Sequence, residues 1–411
     1  MKRVVVTGVG AVTAVGHTAE ETWQAMLEGR SGIGPITLFD PEPYPVRIQA
    51  EVKNFSLGDR VDPKQQRYMN RGVTFGVSAA LEALEDSGLE ITDENADDIG
   101  VIFSAGGGGT DLLLEYQQVL DTKGPRRITP FLVANFIPDA ASGHIAIATG
   151  ARGPNMAVVS ACATGGASLG EAFETIRRGD ATAVIAGSSE SVLLPIYHAT
   201  WCSMRALAGD NEHPEKALKP FDLNRDGFIA GEGGAAMILE DYEHAKARGA
   251  KIYCEIIGYG SSNDAYDMIA LHETGRGLKR AVEAAIRKAG IDPAEIDYIN
   301  PHGSGTPLND RVETMVFKEV MGEAAYRAAV SSVKPITGHC MGASGSVEAL
   351  ACVMAIRDQK VPPTINYTTP DPECDLDYVP NVARSMRVRT ALTTSVGLGG
   401  HNSAVIFREV D

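Results

Sequence analysis

Cys162 stands where an apolar run gives way to small residues, and His302 and His339 stand at glycine-flanked positions, with Lys334 five residues before the second histidine. A cysteine at the start of a helix can serve as a nucleophile, because unpaired N–H groups and the positive end of the helix dipole favour the thiolate. The stretch Val158 to Ala172 fits that description. A short apolar run predicts a strand that stops at Cys162, and a small-residue segment predicts a tightly packed helix after it. Taken alone, such a cysteine is also what a small buried hydrophobe looks like. The histidines lie in Asn300-Pro301-His302-Gly303-Ser304-Gly305-Thr306 and in Thr337-Gly338-His339-Cys340-Met341-Gly342. Each follows a β-type run that would hold it rigidly, while the glycines let substrate or backbone approach. Two rival chemistries use the same residues. A metal site finds no C-x-x-C or H-x-x-x-H spacing, and the separations of 140 and 37 residues are long. A Cys-His hydrolase needs one histidine and leaves the second, with Lys334, surplus.

The elements that must position these residues alternate between β and α patterns. Val4 to Thr13 reads as a buried strand breaking into a glycine turn, but Thr13 stands where a dinucleotide fingerprint requires its third glycine. Glu20 to Gly29 predicts a helix, and Pro35 to Phe55 an irregular excursion. A further helix opens at Asp62 and continues through Leu84. Strand Ile99 to Ser104 ends in Gly106 to Gly109; no Gly-Lys-Ser/Thr follows, so close backbone approach is a better reading than a phosphate loop. Phe131 to Thr149 reads as helical and Ala183 to Gly187 as a buried strand. Asp222 to Gly227 imitates a calcium loop, but its twelfth position is Gly233 rather than Glu. Near Lys251 the pattern restarts: Tyr253 to Gly260 resembles the opening strand and turn, followed by helix Leu278 to Ala289 and strand Ile296 to Asn300. A small-residue helix from His339 to Arg357 echoes the segment after Cys162, and strands Thr393 to Val396 and Ser403 to Arg408 flank a turn at Gly397 to Asn402. These echoes predict a duplicated chain, with residues 1–250 and 251–411 as halves that meet through their glycine-rich helices and bury the nucleophile between them.

The 411 residues suffice for a substantial core, and 44% hydrophobic with 22% charged residues is a globular composition. A net charge of −16 argues against general nucleic-acid binding and against attraction to anionic membranes. The six cysteines are scattered, as reduced thiols of a cytoplasmic protein would be. Lys2 to Thr7 enters a β-type run at once, which leaves no room for a signal peptide, and no apolar run reaches the length of a membrane span.

Five motifs in order carry a family resemblance: Ala161-Cys162-Ala163-Thr164-Gly165, His302-Gly303-Ser304-Gly305-Thr306, Lys334 with Gly338-His339, Gly345 through Glu348, and Gly397-Leu398-Gly399-Gly400-His401-Asn402. From Val4 to Phe407 the chain resembles the β-ketoacyl-acyl carrier protein synthases of the elongating type. The resemblance implies a thiolase-like α/β fold of two mixed β-sheets with helices between and outside, layered α/β/α/β/α. It implies that Cys162 takes an acyl group from a carrier thioester and that the N–H groups of Cys162 and Leu398 form an oxyanion hole. His302 and His339, as Nε donors, would hold a malonyl thioester carbonyl during decarboxylation. Lys334 would order the electrostatics around His339, with Glu348 in support. Ser304 and Thr306 would hydrogen-bond the phosphopantetheine arm, which arrives with the substrate, so that no cofactor is tightly bound and no metal is required. The partner would be an acidic acyl carrier protein, docking on Lys64, Arg67, Arg126, Arg127 and Arg205, and the assembly a homodimer.

The chain departs from the fatty-acid pattern at the last glycine turn, where Val396-Gly397-Leu398-Gly399-Gly400 replaces Phe-Gly-Phe-Gly-Gly. The lining Thr200 to Arg205 departs as well. The run His302 to Thr314 is nearer to the catalytic ketosynthase subunits of type II polyketide systems, which would act in a heterodimer. A chain-length-setting partner subunit lacks the nucleophile, and a degradative thiolase would carry a second catalytic cysteine near the last turn.

Overall fold

The computed structural model describes residues 1–410. In chain order, the elements that frame the site are strand β1 (Val4–Thr13), helix α1 (Arg71–Ser87), strands β2 (Ile99–Ser104) and β3 (Asn155–Met156), and helix α2 (Thr164–Arg178). Strands β4 (Ala183–Glu190), β5 (Gly233–Asp241) and β6 (Cys254–Asn263), helix α3 (Arg276–Ala289), and strands β7 (Tyr298–Asn300) and β8 (Ala329–Val330) follow. Helix α4 (Ser344–Asp358) and strands β9 (Thr390–Gly397) and β10 (His401–Arg408) complete the set.

The strands fall in the order β8-β7-β9-β10-β6-β1-β5-β4-β2-β3. In the first half β3, β2 and β4 run parallel, with β5 and then β1 antiparallel beyond them. The second half repeats this with β8, β7 and β9 parallel, then β10 and β6 antiparallel. The two five-stranded mixed units join only where Val4–Val6 pair with Cys254–Ile256. Helices α2 and α4 lie between them, each touching strands of both units, while α1 covers one outer face and α3 the other. This is the layered α/β/α/β/α arrangement, and burial on both faces explains why β1 and β4 have no exposed position.

The glycines predicted to form turns instead lie within strands. β1 continues unbroken through Gly8 and Gly10, and β6 through Gly258 and Gly260. A methyl group at Gly10 would strike the carbonyl oxygen of Ala79 on α1, and one at Gly260 that of Ala281 on α3. The missing side chains let each outer helix lie directly on its sheet, which is what the paired motifs have in common. Other boundaries differ for local reasons. The helix expected from Asp62 to Leu84 divides into Pro63–Gln66 and α1, because the Asn70 side chain caps a new start by accepting from Val73 N. The helical stretch 131–149 divides into Leu132–Phe136 and Ala140–Thr149 around Pro138. Within the excursion after Pro35, Ile48–Ala50 forms a strand paired with Ile33–Pro35. The false calcium loop is a hydrogen-bonded knot: Asp222 accepts from the N–H groups of Thr368 and Thr369, and Arg225 pairs with Asp371.

The contact at Gly10 has a measurable consequence. Gly10→Ala is expected to cost about 2 kcal/mol by forcing α1 away from β1, seen as a lower urea midpoint. A wild-type midpoint would show that the helix does not depend on this approach.

Candidate active site

Cys162 lies in the single helical turn Ala161–Ala163 that leads into α2. The preceding residues 157–160 are not a strand: β3 ends at Met156, and the Val158 amide donates to Ser104 Oγ rather than to a neighbouring strand. Ala161 adopts φ +51°, a left-handed conformation that costs a non-glycine residue energy and tilts Cys162 out of the path of the helix. The expected thiolate is not the resting form. Burial pushes the thiol up to about 11, against the opposing pull of the Lys334 ammonium and the Leu398 N–H at its sulfur. The helix start therefore orients the thiol without ionising it.

His302 follows β7, as its β-type run implied, but His339 does not follow a strand. It comes just after the short helix Lys334–Thr337, and the predicted helix 339–357 begins only at Ser344. The two imidazoles meet edge to face with ring centres 5.1 Å apart, and Phe228 packs against His339 at 5.4 Å. Lys334, buried with 1% exposure, forms an ion pair with buried Glu348 and donates to the carbonyl oxygen of His302. Its ammonium lies 3.5 Å from His302 Nδ1. An ammonium only donates, so Nδ1 accepts and the ring proton sits on Nε2. The sequence reading linked Lys334 to His339; the direct contact is with His302, and only the field reaches His339. Burial first, and the Lys334 charge second, hold both imidazoles well below the ordinary histidine value. Both are neutral at pH 7. His339 Nδ1 is 2.8 Å from Ser344 Oγ, at the first residue of α4.

Three carboxylates that the sequence did not single out hold this assembly. Glu313 accepts from the backbone N–H groups of His302 and Gly303, each at 2.7 Å, and from Asn309 and Thr394. Asp264 accepts from Asn402 Nδ2 at 2.9 Å, and its own N–H donates to Gly400 O at 2.8 Å, which fixes the last glycine turn. Glu190 is buried behind Cys162 and accepts from Gly106 and Gly107. Each acts across 84 to 138 residues or from within a helix, so no local spacing could mark it.

One cavity of about 420 Å³ brings together Cys162, His302, His339, Ser304, Thr306 and Leu398. Ser304 Oγ and Thr306 Oγ1 stand 3.0 Å apart in its wall. Gly397 packs against the Cys162 turn so closely that a methyl group there would lie 3.0 Å from Cys162 N. Leu398 is half-exposed at the mouth. Of the five basic residues, Arg205 is exposed and lines the cavity. Lys64 and Arg67 are exposed near Pro63–Gln66, and Arg126 and Arg127 are exposed on the turn Pro125–Arg127. These four do not line the cavity, but Tyr68, which carries the Arg67 guanidinium over its ring, packs on Phe131 at 4.4 Å. The two basic segments are thereby linked.

A duplicated, five-layered α/β frame of this kind defines a thiolase-like condensing enzyme. Residues 1–245 match the model of the beta-ketoacyl synthase N-terminal domain, and residues 253–368 that of the C-terminal domain. The 3-oxoacyl-[acyl-carrier-protein] synthase 2 of Synechocystis sp. is 47% identical over 99% of this chain and 98% of its own. Among solved structures, the ketosynthase of a type II PKS in complex with its acyl-carrier protein, bound to the hexaketide, superposes with a TM-score of 0.91 at 35% identity over the full length of both chains. The ishigamide ketosynthase/chain length factor does so with a TM-score of 0.91 at 32% identity, again over the whole of both. The chain belongs to the beta-ketoacyl synthase family, enzymes that transfer an acyl group and form a carbon–carbon bond.

The neutral histidines set a pH dependence. With both folded values below 6.5, the two rings are protonated in the unfolded chain before the folded one as the pH falls under 6.5, so their own contribution to stability declines there, and their titration gives kcat no loss centred on 6.5. Lys334→Met removes the charge that helps depress them and is expected to move the acidic limb of kcat upward toward 6.5. An acidic limb unmoved in the variant would contradict this electrostatic account.

Proposed function

We propose that this chain elongates acyl chains by decarboxylative Claisen condensation, with Cys162 as acyl acceptor and His302 and His339 as the pair that steadies the malonyl unit. One observation carries the assignment of roles: a thiol and two neutral imidazoles face a single cavity whose wall also holds Ser304 and Thr306. In the first half-reaction, the Cys162 sulfur attacks an acyl thioester and the carrier leaves as its thiol. The N–H groups of Cys162 and Leu398 take the charge that develops on the thioester oxygen. In the second, the malonyl carboxylate departs as carbon dioxide and leaves an enolate whose oxygen receives hydrogen bonds from Nε2 of His302 and His339. The enolate carbon then attacks the acyl carbonyl and expels Cys162, which regains a proton. Neutral rings suit this task, since each keeps one proton to share with the oxygen and neither needs to act as a strong base. Lys334 and Glu348 hold the His302 tautomer.

The substrates reach this site as thioesters of a phosphopantetheine arm, hydrogen-bonded by Ser304 and Thr306, with no other cofactor. The carrier docks on Arg205 at the cavity mouth and on the linked basic segments of Lys64, Arg67, Arg126 and Arg127. Residues 1–250 supply the nucleophile and this docking surface, and residues 251–411 the histidines and the gate. The short edge strand β3 exposes Met156, and nearby segments expose Leu113, Phe131, Val133 and Ile147. A second copy of the chain would cover them, so the working unit is a homodimer. No helix among the described residues is long and apolar enough to cross a membrane, and all six cysteines are free, which suits the cytoplasm.

The name of the Synechocystis relative favours fatty-acid elongation. Val396 and Leu398 support a second reading, a ketosynthase of a polyketide or polyene pathway paired with a chain-length subunit, because an aliphatic gate leaves more room above Cys162 than an aromatic one. Acyl carriers of graded length, followed by malonyl carrier, separate the two. Extension of saturated medium and long chains is the expected result; repeated extension without reduction, or a preference for unsaturated chains, would support the second reading instead. Leu398→Phe is expected to lower kcat/KM about tenfold for the longest accepted chain and little for the shortest. Equal effects on both would show that residue 398 does not gate the acyl group.

A further inference from the structure

The duplication places a second, emptied copy of the catalytic turn beside the first. Helices α2 and α4 each have fifteen residues and follow a one-turn segment, Ala161–Ala163 or Met341–Ala343, whose first residue has φ +51° or +48°. Gly342 therefore stands where Cys162 stands. Strands β4 and β9 each have eight residues; Glu190 ends one and pairs with Gly233, while Gly397 ends the other and pairs with His401. Gly106 comes two residues after β2, as His302 comes two residues after β7. The twin site thus holds Gly342 for the cysteine, Gly106 for the histidine, and Glu190 for the glycine that clears the space before the Cys162 amide.

That glutamate fills the space. Its side chain is buried at 1% exposure, Oε2 accepts from Gly106 N at 2.7 Å and Gly107 N at 2.9 Å, and the Gly342 N–H donates to the same carboxylate. A methyl group at Gly342 would lie 2.7 Å from Oε2, and one at Gly106 would lie 3.5 Å from Ala161 O, so the carboxylate sits directly behind the nucleophile's turn. Its other oxygen, Oε1, has no hydrogen-bond partner. We propose that Glu190 is a positioning residue for the condensation: its carboxylate occupies the twin of the oxyanion site and ties the Gly106–Gly107 loop and the Met341–Ala343 turn, which begins two residues beyond His339, against the turn that carries Cys162.

The position also gives Glu190 an electrostatic effect on the thiol. The charged groups acting on Cys162 are Lys334, which lowers it, and Glu190 and Glu348, which raise it, while His302 and His339 are neutral. Burial brings Glu190 itself up to about 7, with Asp111 the carboxylate facing it, so it is ionised in mildly alkaline solution.

The inference rests on Cys162 as the acyl acceptor, and alkylation of the thiol tests it without any substrate, so failure of that reading would be seen separately. Glu190→Gln keeps the size and removes the charge. At about pH 8.5 its Cys162 is expected to react with iodoacetamide about threefold faster than wild type, the thiolate gain from a fall of ~0.5 unit. The kcat for condensation is expected to drop about tenfold with KM for malonyl carrier within about twofold. Glu190→Asp keeps the charge and shortens the reach: alkylation should stay near wild type while kcat falls severalfold. Unchanged alkylation in the Gln variant, or wild-type kcat in either, would overturn the assignment. Should the Gln variant not fold, the Asp variant decides by its kcat alone.

Discussion

The close approach of two helices in the middle layer is the constraint on which the structure depends. At Gly165 a methyl group would strike Ser346 N, and at Gly345 it would lie 2.5 Å from Gly166 N. Only backbone fits between the first turns of α2 and α4. Because each helix is preceded by its own strained one-turn segment, that approach sets the Cys162 turn and the Met341 turn back to back. Everything else follows from it. His339 enters from the loop before one turn, Leu398 closes over the other, and the sheets that enclose both helices exclude solvent from the space between them. The small residues after Cys162 and after Met341 are therefore needed for geometry before they are needed for chemistry.

The same exclusion of solvent governs the electrostatics. A partly exposed thiol at about 11 and two buried imidazoles well below 6.5 are the neutral forms that desolvation favours. The one strong charge placed among them, Lys334, is matched by Glu348 and tethered to the carbonyl of His302. Burying a charge pair is costly; here it fixes the His302 tautomer and its ammonium lowers Cys162, His302 and His339 together. In the proposed condensation these neutral groups would serve as donors where negative charge develops, and the charge would arise only when substrate supplies it.

Much of this could be read from the residues. Cys162 is marked by the change from an apolar run to a small-residue segment, His302 and His339 by glycines that give them room, and the duplication by the echo of residues 4–13 in 253–260. The glycines of that echo suggest turns and instead lie inside strands, because a glycine that ends a strand and one that admits a helix leave the same local trace; only the partner, Ala79 or Ala281, tells them apart. The helix after His339 begins only at Ser344, later than its composition implies, because Met341 takes a left-handed conformation that its side chain does not advertise. Desolvation outweighed the helix dipole at Cys162, and burial depth is not a property of fifteen residues. Glu313, Asp264 and Glu190 are silent in the sequence for a related reason: each is a single acidic residue whose meaning lies in N–H donors brought to it by the fold.

The account turns on a division of labour between one thiol and two imidazoles. The most direct measurement is the intact mass, with peptide mapping, of a His302→Ala variant mixed first with acyl carrier and then with malonyl carrier. The account predicts that Cys162 gains the acyl mass at near the wild-type rate and keeps it after malonyl carrier is added, because the acyl acceptor is whole and the enolate is not formed. An acyl group on any other residue, or its release as 3-oxoacyl product at the wild-type rate, would contradict it.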